Sequence, residues 1–136
     1  MSVAPVERIG RYLKLLGKKF EFDPTASKYR VIEKFDAEEF VIEISFTRNW
    51  AIILLSFGSI KDKPVDIRCK VFERLLKLNR QYAEVCFCID DDYNVYCEED
   101  ILLDALTFDV FMEEYNAILI SKELYDKEIQ PLLTGT

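Results

Sequence analysis

The sequence predicts an α+β fold in which a helix, a three-stranded antiparallel meander, a second helix, a β-hairpin and a closing helix follow one another. Three observations carry this prediction. Residues 66–100 read as helix, strand, acidic turn and strand. Phe40, Ile42, Ile44 and Phe46 alternate with Val41, Glu43, Ser45 and Thr47, the period of a strand with one wet side. Apolar residues recur at helical spacing towards both ends of the chain. With 136 residues, half of them apolar, the expectation is a single domain spanning 1–136 that buries a core without staples.

Taken in order, Pro5 suits a first helical turn, and Val6, Ile9, Leu13 and Leu16 form an apolar stripe that Gly17 ends. Glu7, Arg8, Arg11 and Lys14 make the opposite, solvated face. Phe20 and Phe22 lead into the turn-forming Asp23-Pro24. Tyr29, Val31 and Phe35 mark the first strand of the meander, and 40–47 the second. The run WAIILLSF, 50–57, is continuously apolar and reads as a central strand covered on both faces. Asp66 is placed to cap the second helix and Asn79 to end it. Val85, Phe87 and Ile89 alternate in one hairpin strand, and Tyr93, Val95 and Cys97 in its partner. From Thr107, a cap, Phe108, Phe111, Met112, Tyr115, Ile118 and Leu119 carry the last helix to about Tyr125. Pro131 and the TGT end predict a loose tail over 127–136.

The second helix is the informative one. Ile67, Val71, Leu75 and Leu78 form one apolar stripe, and Cys69, Phe72 and Leu76 a second beside it, so apolar side chains cover an arc of roughly 200° where one sheet contact needs about 100°. The expectation is a homodimer in which the first stripe faces the sheet and Cys69, Phe72 and Leu76 face a partner subunit.

Several function classes are excluded by composition. There is no histidine, which removes the usual general base, the Ser-His and Cys-His pairs and imidazole metal sites. Four glycines leave no phosphate-cradling loop. The net charge of -7, with dispersed basic residues, argues against nucleic acid and anionic lipid. The longest uncharged run, 49–60, has 12 residues where a spanning helix needs roughly 20. The start MSVAPVERIG lacks a basic-then-apolar signal, so the expected compartment is the cytoplasm.

Three constellations remain to be weighed. Asp90, Asp92, Asn94, Tyr96 and Glu98 fall at calcium-loop positions, but Val95 and Ile101 stand where glycine and the bidentate glutamate belong, so a solvated hairpin tip is expected. Cys86 and Cys88 share a strand face. Cys97 faces Cys86 if the turn has two residues and lies on the Val95 face if it has three or five, and the apolar pattern favours the latter. Without CxxC spacing or histidine, these three read as buried, reduced, structural thiols that bind no metal. The carboxylates of Glu38, Glu39, Glu98, Glu99 and Asp100 read as solvated loop charges. No catalytic residue and no cofactor are expected.

The element order, the helix ending LLKLN at 75–79, the strand VCFCI, the turn DDDYN, the strand VYCEED and the long helix from Thr107 resemble class I type III secretion chaperones and the related YbjN-like domains. The resemblance implies a noncatalytic homodimer, meeting partly through the central helix, that holds an extended segment of a client protein. The alternative is a small-molecule sensor, or an enzyme using carboxylates and lysine, with a pocket between the sheet and the first helix.

Overall fold

The structure is a computed structural model and describes residues 4–135; residues 1–3 and 136, including the last residue of the expected tail, lie outside it. The chain runs α1 (Pro5–Leu15), β1 (Lys19–Asp23), β2 (Lys28–Phe35), β3 (Glu38–Phe46), β4 (Trp50–Ser59), α2 (Val65–Gln81), β5 (Phe87–Ile89), β6 (Asn94–Leu102), α3 (Phe108–Leu124), a π turn (Tyr125–Ile129) and α4 (Gln130–Thr134). The strands form one antiparallel sheet in the order β1-β2-β3-β4-β6-β5. The α+β prediction therefore holds, with one strand more than expected. β1 comes from KFEFD, whose alternation sets Phe20 and Phe22 opposite Val31 and Tyr29.

Period-two alternation sorts the strand residues onto two unlike faces. One carries Tyr29, Val31, Ile42, Ile44, Ala51, Ile53, Leu55, Val95, Cys97 and Ile101, all buried. Onto this face pack Ile9 and Leu13 of α1 and Phe111, Tyr115 and Ile118 of α3, each at 0 % exposure. The α1 contact is tight: the Tyr29 hydroxyl donates to the Val6 carbonyl at 2.6 Å, and a methyl group on Gly10 would sit 2.7 Å from the Tyr29 hydroxyl oxygen. Gly17, at φ +69°, ends the helix as expected.

Four sequence expectations are corrected. α2 starts one residue before Asp66, with Pro64 at its cap position and no side-chain cap; Asp66 instead sits in the first turn, where its charge favours the helix dipole. Asn79 does not end the helix. It donates to the Phe87 carbonyl (2.9 Å) and accepts from the Phe87 N–H (2.8 Å), clamping β5 to α2 as a strand neighbour would. β4 is central but covered on one face only, since Trp50 is 43 % exposed and Ile52 and Leu54 are half-buried.

The fourth correction concerns the tail. Residues 125–134 are helical, with Ile129 fully buried and Leu132 and Leu133 packed on the core. Pro131 has no N–H to give the carbonyl four residues back, and its ring crowds that carbonyl, so the preceding turn widens into a π turn. That turn buries Tyr125, whose ring stacks on Phe57 at 4.0 Å. Thr107 caps α3 as predicted, accepting from the Val110 N–H at 3.2 Å.

Candidate functional site

The face of the sheet opposite the helices is the candidate surface. Strand register places Ile32 beside Val41, Ile52 beside Ser45 and Asp100, Leu54 beside Glu43 and Glu98, and Trp50 beside Leu102. Trp50, Val41 and Leu102 are exposed at 42–43 %. The apolar centre is flanked on the β1–β2 side by the ion pairs Arg30–Asp23 (3.6 Å), Arg30–Glu43 (3.8 Å) and Lys28–Glu43 (3.0 Å). On the β6–β5 side it is flanked by Glu98 and Asp100. A strand that is apolar on both sides is ordinarily sandwiched, so one left open over Trp50, Ile52 and Leu54 is a surface to be covered. β1 and β5 are the sheet's edges, β1 pairing with β2 and β5 with β6.

α2 presents the second exposed apolar region. Val71, Leu75 and Leu78 point inward at 0–4 % exposure, while Val65 and Leu76 are 64 % and 69 % exposed and Cys69 is exposed. Phe72 is half-buried because it stacks on Tyr93 of the hairpin turn at 6.1 Å. Of the three residues assigned to a partner interface by sequence, the structure thus leaves Cys69 and Leu76 facing outward and gives Phe72 an internal neighbour. A further side of α2 packs on the C-terminal segment, with Arg74 3.4 Å from Glu128. Residues 125–134 therefore lie against the side of α2 that carries Arg74, and Val65 and Leu76 stay exposed.

The hairpin tip is explained without a cation. The Asp90 carboxylate accepts from the Asp92 and Asn94 backbone N–H groups (2.9 Å each), the Asn94 amide and the Tyr96 hydroxyl (3.0 Å), and these bonds hold its pKa below the usual carboxylate range. Among the described residues, no group of three or more acidic or cysteine side chains is arranged to hold a metal.

The cysteines follow the longer-turn register. Phe87 pairs with Cys97, so Cys97 lies on the Val95 face and is buried, and burial pushes its thiol up to about 12. Cys86 and Cys88 are exposed on the open face, which corrects the expectation that all three are buried. The Cys88 thiol is pushed up to about 11 by partial burial and then by Glu98, and burial raises the Cys86 thiol as well.

Two charged clusters were read from sequence as solvated or not read at all. Glu99 lies on the helix-covered face, opposite Ile53 and facing Glu114 of α3 in a cleft of about 280 Å³ that Glu84 and Glu113 also line. Burial and then Glu114 push its carboxyl up to about 8. Alternation alone would have put Glu99 on the Cys97 face. Lys122 is 5 % exposed, bonded to Glu38 and Asp126 at 2.9 Å each and lying 5.4 Å from the centre of the Phe40 ring. Burial lowers its pKa, the hydrogen bonds it donates to Glu38 and Asp126 raise it, and the net shift is upward. The space between α1 and the sheet, where a ligand pocket was the alternative expectation, is filled at Gly10 and Tyr29.

No family model matches the sequence, and no curated protein matches it. The fold has solved counterparts. A chain in the heterodimeric ExoU–SpcU complex from the type III secretion system of Pseudomonas aeruginosa matches with a TM-score of 0.63 at 16% identity, over 94% of this chain and 99% of that one. YbjN from E. coli matches at 0.58 and 11%, over 90% and 95%. The structure of the Yersinia pestis type III secretion chaperone SycH with a stable fragment of YscM2 matches at 0.51 and 11%, over 91% and 96%. The chain thus has the α+β fold shared by type III secretion chaperones and YbjN.

Proposed function

We propose that this protein is a noncatalytic protein-binding module, a chaperone-like or adaptor homodimer that holds an extended segment of a partner protein. The observation that carries the reading is the uncovered apolar centre of the sheet at Trp50, Ile52, Leu54 and Leu102, beside a β1 edge free to pair with an added strand. Fold counterparts in which a secretion chaperone is bound to a protein fragment support it. So does the packed α1–sheet junction, where Tyr29 fills the space against Gly10 that a ligand pocket there would need. The net charge of -7 favours a protein client over nucleic acid.

The test is capture from the native cell extract on immobilised protein, with Trp50→Glu/Leu102→Glu as the comparison. The expected result is a client segment that the wild type retains, that protects β1 and β4 amides from exchange, and that the double variant loses while keeping its circular dichroism. A client retained equally by both proteins, or tight salt-sensitive binding of RNA or DNA, would overturn the reading.

A further inference from the structure

We infer that the client segment held on the open face carries two basic side chains two residues apart, with an apolar one at the same spacing beside them, so that the basic heads meet Glu98 and Asp100 and the apolar side chain meets Trp50 and Leu102. The inference rests on the client-binding reading above and deepens it by naming the chemistry of the segment. On the outward side of the sheet the register sets Leu54 beside Glu98, Ile52 beside Asp100 and Trp50 beside Leu102, three successive rungs. An apolar column on β4 thus runs alongside a column of two carboxylates and a leucine on β6. β5 pairs with β6 only over 95–97, so among the described residues no strand flanks Asp100 on its far side.

The two flanks of the patch differ in how their charges are met. On the β2–β3 side Glu43 has Lys28 at 3.0 Å and Arg30 at 3.8 Å, and Asp23 has Arg30 at 3.6 Å. On the β6 side no lysine or arginine among the described residues forms an ion pair with Glu98 or Asp100. Each instead has the other as a neighbour of like charge, and burial first and Asp100 second raise the Glu98 carboxyl above its ordinary value. Two like charges beside apolar side chains carry a cost that an incoming cation relieves. Lysine or arginine suits the place on a second count, because its aliphatic stem covers Ile52 or Leu54 while its head reaches the carboxylate on the next strand, about 5 Å across. Alternate residues of an extended segment are spaced about 6–7 Å apart, as are those of β6, so the two carboxylates are met by residues i and i+2. The next residue of the same parity lies over the Trp50–Leu102 rung, where only an apolar side chain finds a partner.

Trp50 is the chain's one tryptophan, so its emission reports occupancy of this face. The experiment titrates the full chain with three synthetic peptides free of aromatic residues: SGLTRTRSG, its acidic counterpart SGLTETESG, and SGLTRRTSG, which has the same charge with the arginines adjacent. SGLTRTRSG is expected to shift the Trp50 emission, to bind about tenfold more tightly than SGLTETESG and severalfold more tightly than SGLTRRTSG, and to weaken as salt rises. Glu98→Gln with Asp100→Asn should remove that preference with unchanged circular dichroism, and Glu98→Lys with Asp100→Lys should transfer it to SGLTETESG. Arginine and glutamate peptides that shift the emission with equal affinity, or a preference that survives Glu98→Gln with Asp100→Asn, would overturn the basic pair while leaving the open face as the client surface. Emission unmoved by all three peptides up to about 1 mM would also overturn it. Client capture on Trp50→Glu/Leu102→Glu then tests the open-face reading separately, because it depends on no peptide's charge.

Discussion

The two faces of the sheet are built from the same strands and differ in one respect, what lies over them. On β4, Ala51, Ile53 and Leu55 lie beneath the helices at 0–2 % exposure, while their immediate neighbours Trp50, Ile52 and Leu54 look out from the other side. The chemistry along the strand is nearly uniform, so burial here is decided by which helices exist to cover it. An apolar side chain beneath α3 stabilises the fold. The same side chain one residue along is free to contribute to binding. On the proposed reading, the two faces divide stability from client binding within a single strand.

The largest effect that tests this separation comes from placing one charge on each face. Ile53→Asp buries an unpaired carboxylate beside Glu99 and is expected to cost about 4 kcal/mol or more, enough to unfold a domain of this size. Leu54→Asp points outward and should change stability by no more than about 1 kcal/mol while abolishing client binding. Urea titration followed by circular dichroism reads both. Equal destabilisation by the two variants would break the comparison, because it would mean the open face is covered within the monomer.

A second, smaller effect sharpens the covered side. Gly10→Ala places a methyl group against the Tyr29 hydroxyl, which its bond to Val6 keeps from moving away. A loss of about 1–3 kcal/mol is expected, and Tyr29→Phe combined with it should recover part of that loss by removing the clashing oxygen. If Gly10→Ala were neutral, α1 would be packed more loosely than its fully buried Ile9 and Leu13 indicate.

The division into faces also shows what the sequence could and could not reveal. Alternation in 40–47 marked the covered and wet sides of β3 correctly, and the helical stripes of α1 and α3 were legible because their partners lie on one side. The continuous run at 50–57 defeated the same logic: a strand apolar on both sides looks sandwiched whether the second cover belongs to the chain or to another molecule. The C-terminal helix was hidden by Pro131, whose effect was to widen a turn rather than to end the helix. Asn79 read as a stop because its amide chemistry suits one, and only the position of Phe87 shows it acting as a clamp. Of the candidate surface, the exposed Cys69 and Leu76 were legible from the width of the α2 arc, whereas Trp50 and Leu102 required the β4–β6 register.

A third prediction concerns pH on the covered face. Glu99 has a folded pKa of about 8 against an ordinary 4.5, raised by burial first and by Glu114, Asp100 and Glu98 after it. The folded protein therefore keeps a proton that the unfolded chain has released. The resulting stabilisation is full below about pH 4.5, declines as pH rises and is gone above about pH 8. The unfolding midpoint should fall across that window, and Glu99→Gln should flatten the fall. A slope unchanged in Glu99→Gln would mean that the Glu99–Glu114 contact does not govern it.

The smallest effect belongs to the open face, and its smallness is the point. Arg30 lies 3.6 Å from Asp23 and 3.8 Å from Glu43, with all three side chains at 29–39 % exposure. Exposed pairs at such distances are screened by water and salt and contribute about 0–1 kcal/mol, since holding the side chains together offsets most of their attraction. Arg30→Ala should accordingly shift the urea midpoint by less than about 0.5 kcal/mol in stability. Its effect on client binding should instead appear in the association rate and its salt dependence, as expected for a charge at the rim of an apolar patch. Stopped-flow binding at low and high salt, beside urea titration of the same variant, separates the two. A variant that loses more than 2 kcal/mol, with association unchanged, would place Arg30 among the groups that hold the fold and move the boundary between the two faces.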